Sequence, residues 1–254
     1  MSAFLADARQ TVAPPRDGKD GLLPPLLVTL TAVTGLVDAF SYLVLGHVFV
    51  ANMTGNVVFL AFALAGVGGF SASASAVAIG CFALGALIAG RLGRYLEGSP
   101  GRFPAGRREL LLGITAGIQA VIVAEAVTMT ALTPIPIPAG LRYALIVSLA
   151  LTMGLQNATA RKLAVPDLTT TVLTLTITGL AADHALAGAT GARAAARRLI
   201  SVAAMLVGAL VGALLVLHVH IVYPLVIALI LLVAVTLVAL TWARTPRTRS
   251  FPAP

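Results

Sequence analysis

The chain has 254 residues, 59% of them hydrophobic and 10% charged, with a mean hydropathy of +0.99 and a formal net charge of +8. Soluble domains carry about 25% charged residues, so this chain lacks the charge to cover a water-facing surface and reads as a polytopic membrane protein. Its basic residues fall in short clusters between apolar runs, which argues against a nucleic-acid partner, and its single cysteine, Cys81, excludes an internal disulfide or a cysteine-based metal cluster.

Residues 1–21 form a polar N-terminal tail without the apolar stretch of a cleaved signal peptide, so the first span is expected to serve as an uncleaved insertion signal. That span, Leu22–Leu45, carries a carboxylate, Asp38. Next comes HVFVANMTGNVVFL, in which Asn52, Thr54, Gly55 and Asn56 interrupt an otherwise apolar sequence. The segment that starts there, Thr54–Gly69, has an uninterrupted apolar core of about 11–13 residues, short of the ~20 needed to cross the hydrocarbon. A second span, Ala72–Tyr95, leads into a cluster of Arg91, Arg94, Arg102, Arg107 and Arg108, expected in the cytoplasm. The third, Leu110–Leu132, contains Gln119 and Glu125 and ends in TPIPIPAG (133–140), which has no Lys or Arg and reads as an external loop. The fourth, Leu141–Ala160, holds Gln156 and Asn157 and stops at Arg161 and Lys162. A second short segment, the Thr-rich Thr169–Ala182, precedes Arg193, Arg197 and Arg198. Ala196–Leu217 and Ile221–Trp242 complete the six long runs, with HVH (218–220) outside and a basic tail at 244–254.

The charges constrain the two short segments. Basic clusters flank Thr169–Ala182 on both sides, so a full span there would carry one cluster outside; the segment is expected to enter and return on one side. With the N-terminus inside, Thr54–Gly69 returns to the outer face. TGLVDA (34–39) aligns with MGLQNA (153–158) 119 positions later, and MTGN (53–56) with LTLT (173–176) 120 positions later. Each half then reads as a long span, a polar kink, a short Thr-containing segment and then a long Ala/Gly-rich span. Residues 22–132 and 141–243 are therefore expected to form two repeats of inverted topology, an arrangement common in transporters.

The stretch TGLVDAFSYLVLGHVFVANMTGNVVFL, together with MGLQNA, resembles the YoaK-like family of bacterial inner-membrane proteins of unknown function, over about Leu26 to Leu240. The resemblance implies a multi-spanning inner-membrane protein of this length and no particular activity. Members usually repeat Thr-Gly in the second half, where this chain has Thr174-Leu175.

Polar groups in hydrocarbon cost several kcal/mol unless paired, so Asn52, Thr54 and Asn56 must face protein, water or a ligand. With Gly55 they fit the start of a half-helix whose free N–H groups favour an anion or polar solute; they fit equally a cap bonded to neighbouring spans. Asp38 inside a span costs about 2.5–3.5 kcal/mol on insertion scales and is a candidate for binding a cation, carrying a proton or bonding a solute, or else a carboxylate held by an Arg or backbone. Its counterpart in the alignment is Asn157, beside Gln156. Glu125 is the second candidate for proton coupling, unless it snorkels to the surface. Thr174 belongs to a hydroxyl run that can also satisfy itself by bonding carbonyls one turn back. The four histidines are scattered near loops, and the two in HVH lack a third ligand nearby, so no metal is expected. No nucleophile elbow, phosphate-binding loop or zinc-protease motif is present, and no cofactor is expected.

The expectation is an all-α integral membrane protein with six spans and two short broken or re-entrant helices. Its expected role is transport of a small solute across the inner membrane, proton-coupled through Asp38. The rivals are a non-catalytic scaffold or partner subunit, and an intramembrane enzyme acting on a lipid or quinone, for which neither nucleophile nor metal set is visible. The bilayer, a small solute and further copies of the chain are the expected partners; both termini are expected in the cytoplasm.

Overall fold

A computed structural model of the chain describes residues 20–98, 106–166 and 189–244, together with Arg9, Thr11, Pro14, Phe103, Pro104 and Leu168; of 189–194 only the backbone course is described. The described residues form seven helices: α1 (Leu23–Val44), α2 (Met53–Leu64), α3 (Ala72–Leu96), α4 (Arg107–Leu132), α5 (Ala139–Leu163), α6 (Ala189–His218) and α7 (Tyr223–Arg244). All but α2 are long and apolar enough to cross a bilayer, so the protein is an all-α integral membrane protein with six candidate spans. The spans coincide with the apolar runs in the sequence to within a few residues, except α6, which begins seven residues before its apolar run. The second short segment, 169–182, lies outside the described residues.

The direction of each helix follows from the contacts at its ends. Asp20, just before α1, pairs with Arg108 in the first turn of α4 and with Arg197 in α6. Glu97, capping the end of α3, pairs with Lys162 at the end of α5, and Gly106 lies against the Ala243 backbone at the end of α7. These helix ends share one face of the bundle, which we term the basic end. Successive spans therefore alternate in direction. At the opposite end α2 makes a closed excursion, for His47 Nδ1 lies 3.1 Å from the Gly69 carbonyl oxygen and ties entry to exit. With only 12 residues, about 18 Å of helix, α2 leaves and returns on the same side.

Lateral packing joins helices distant in sequence. The three most extensive interfaces are α3 with α5, α1 with α6 and α4 with α7. Two of them rest on paired glycines. At the α1–α6 crossing, a Cβ on Gly35 would strike the Met205 carbonyl oxygen, and one on Gly208 would strike that of Ala32. At the α3–α5 crossing, a Cβ on Gly154 would strike the Phe82 carbonyl oxygen, and one on Gly85 that of Leu151. Helix association in lipid depends on such close backbone approach, because lipid tails are as apolar as leucine and supply no hydrophobic drive. The outward faces are apolar, as at Leu87, Leu206 and Leu237, and contact the bilayer.

Candidate functional site

Asp38, Asn56 and Gln156 lie along α1, at the two levels where it meets the 45–52 connection and α5. The upper level is built around Asp38, which is 3% exposed. Val44 ends α1, and the chain then runs without regular structure to the start of α2. This connection turns its amides inward: Val50 N and Ala51 N donate to Asp38 Oδ1 at 3.1 and 2.9 Å. The second carboxylate oxygen, Oδ2, is buried and has no hydrogen-bond partner. A broken backbone thus satisfies two of its own donors on a side chain of the preceding helix, which is how non-helical backbone is tolerated at membrane depth.

Asn56 completes this level. It is fully buried, and its side chain closes on the main chain of a single residue: Phe49 N donates to Oδ1 at 2.9 Å, and Nδ2 donates to the Phe49 carbonyl at 2.6 Å. Gly55 has a separate reason. A methyl group there would meet the Phe49 ring at 2.8 Å, so the missing side chain lets that ring lie against α2. Phe49 is one member of an aromatic cluster that seals this end. Tyr42 stacks on Phe49, Phe49 on Phe59 and Phe59 on Phe70, with centroids 5.0–5.6 Å apart, and His47 contacts both Tyr42 and Phe70. The spacing of these rings in sequence follows neither helix nor strand period, and sequence reasoning missed the cluster. Asn52 and Thr54 are exposed, on the outer side of the excursion.

The lower level is one turn away. Gln156 of α5, also buried, donates from Nε2 to Thr34 Oγ1 at 2.8 Å and to the Leu30 carbonyl at 3.2 Å. Its Oε1 is buried without a partner. Thr34 itself donates to the Leu30 carbonyl. This is the polar contact of a thin α1–α5 interface. Asn157 donates from Nδ2 to the Met153 carbonyl within its own helix. Asp38 and Asn56 are therefore joined through residues 49–51, Gln156 lies beside them one turn along α1, and the side chains of Asn52 and Thr54 stand apart, although the Asn52 amide also faces Asp38. Thr174 lies outside the described residues.

Glu125 is not part of this constellation. It is exposed on α4, in line with the exposed Ile118, Val121, Met129 and Leu132. Gln119 is on the buried side of the same helix, where its amide faces the Met153 sulfur of α5 at 3.9 Å. Among the described residues, no three His, Cys, Asp or Glu side chains are grouped to hold a metal ion.

A cavity of about 670 Å³ opens at the basic end between α3, α4 and α5. Its charged walls are Arg108, Arg161 and Lys162 against Asp20 and Glu97. Ala158 reaches it from α5, one residue beyond Asn157.

A family model described as a protein of unknown function (DUF1275) matches residues 26–238, and the chain belongs to that family. It is similar to the UPF0700 transmembrane protein YoaK of Bacillus subtilis, with 32% identity over 161 residues. That match covers 62% of this chain and 65% of the relative's length. No solved structure matches the chain.

Proposed function

We propose that this member of the family transports a small solute across the bacterial inner membrane, with its basic end in the cytoplasm and Asp38 as the group that couples transport to protons. One observation carries the proposal: Asp38 lies inside a candidate span with Oδ1 held by the amides of an unwound connection and Oδ2 buried without a partner. An unwound backbone facing an ionisable group is how midplane sites in secondary transporters are built, and an intramembrane carboxylate is a proton-relay element by default. A purely structural carboxylate would gain by satisfying both oxygens.

The inverted repeat belongs to the same proposal. Exchanging α1 with α5, α3 with α6 and α4 with α7 turns the α1–α6 interface into α5–α3 and α4–α5 into α7–α1; the members of each exchanged pair are of similar extent. The glycines follow the same exchange: Gly35 and Gly154 are 119 positions apart, as are Ala32 and Leu151. Under this reading Asp38 and Asn157 occupy equivalent places on the two halves.

The test uses the full chain in liposomes carrying an internal pH-sensitive dye, with small metabolites supplied in groups by charge. The wild type is expected to show metabolite-dependent proton movement, and Asp38→Asn to lose it while inserting normally. Equal proton movement in both proteins would remove Asp38 from the mechanism. A second reading, a non-catalytic scaffold, is favoured by Asn56, whose amide is spent on its own connection. That reading expects no metabolite-dependent signal from either protein.

A further inference from the structure

We propose that the cavity at the basic end binds a phosphate-class oxyanion, with Arg161 as its primary ligand. The inference holds whether or not the chain moves a solute. The cavity of about 670 Å³ falls within the ~300–1,000 Å³ typical of small-molecule sites. Among the described residues its walls carry three cations and two carboxylates. The two carboxylates are already engaged. Glu97 holds Lys162 at 2.8 Å, and Asp20 is shared between Arg108 at 3.5 Å and Arg197 at 3.8 Å. Arg108 is fixed further by donating to the Leu163 carbonyl at the end of α5. Arg161 is left over. It is exposed and lines the cavity, and it makes no ion pair among the described residues.

The arrangement separates two tasks. Lys162 and Arg108 are held in place by carboxylate partners that offset their charge. Arg161 offers a free guanidinium, whose planar fork matches two oxygens of a phosphate and is less strongly hydrated than an ammonium. A carboxylate from the chain already neutralises each of the other two cations, so an entering anion meets its strongest uncompensated charge at Arg161. Two sources supply this chemistry: a soluble phosphate compound, and the headgroup of an anionic phospholipid at the membrane surface.

The experiment separates them. Thermal midpoints of the purified full chain in a neutral detergent are recorded against inorganic phosphate, with chloride at matched ionic strength as the control. The same measurement is made in nanodiscs of phosphatidylcholine alone and with added phosphatidylglycerol. Arg161→Gln is the test variant; its unliganded midpoint should hold, since the side chain is exposed and makes no ion pair among the described residues. Arg94→Gln, exposed on α3 outside the cavity, is the control. If the source is soluble, phosphate raises the wild-type midpoint, Arg161→Gln weakens its affinity about 10–150-fold and Arg94→Gln leaves it unchanged. If the source is lipid, phosphatidylglycerol alone raises the midpoint, and only Arg161→Gln abolishes the rise. A response that survives Arg161→Gln undiminished, or no response to either probe, overturns the proposal.

Discussion

The α1–α6 and α3–α5 crossings are built alike and equipped differently. Each brings two glycines against carbonyl oxygens of the facing helix, at positions that match across the two halves of the chain. A short way beyond its glycine, α1 carries Asp38, with one oxygen bonded to an unwound connection and one oxygen bare, while α5 carries Gln156 and Asn157, whose amides donate to Leu30 and Met153. Under the proposed exchange of halves, the backbone scaffold is duplicated and the chemistry is not. Whatever this protein does to a solute or a proton is to be sought where the two crossings differ, and its stability where they agree.

The likeness can be broken most severely at the glycines. Gly35→Leu and Gly154→Leu each push a side chain into backbone that cannot rotate away, so each should cost about 3 kcal/mol or more, at the upper end of overpacking penalties. Midpoints falling by similar amounts for both would sustain the equivalence of the crossings; a large drop for one alone would end it. The difference is sharpened next at the upper level. Asp38→Ala leaves the Val50 and Ala51 amides without an acceptor and should cost about 3 kcal/mol, whereas Asp38→Asn keeps an oxygen there and should cost under about 1 kcal/mol. Denaturant midpoints of the two variants give the comparison directly. The smallest effect is expected at Glu125, which faces outward among apolar side chains: Glu125→Gln should change stability by no more than about 0.5 kcal/mol. It should also leave proton movement intact, and a loss of movement in that variant would transfer the coupling role to α4.

The spans were legible in the sequence because each apolar run is about as long as the bilayer is thick, and a run that long has few other readings. The same-side return of α2 was legible too, since its core is too short to cross. Which helix packs on which was not. Glycines announce close approach without naming the partner, so nothing in the sequence says that Gly35 and Gly208 lie against each other's helices. The side chains of the ANMTGN stretch were equally ambiguous. An amide in a membrane segment must be paired, yet the sequence does not say whether with a solute or with a peptide seven residues upstream, as Asn56 is with Phe49. The aromatic cluster left no periodic trace because its members come from a helix end, a connection, α2 and the residue after its return.

The α1–α6 pairing also bears on how the protein is made. Gly35 is synthesised about 170 residues before Met205, whose carbonyl it is shaped to meet. At about 5–20 residues per second the ribosome needs roughly 10–30 seconds to supply that partner. Through that interval α1 sits in the bilayer with its glycine face open and Asp38 without its eventual packing. Its nearest substitute is the connection at 45–52, which emerges immediately afterwards and carries the two amides that Asp38 binds. The unwound stretch can therefore shelter the carboxylate from lipid long before the bundle exists, acting during biogenesis as a local chaperone for the helix it follows.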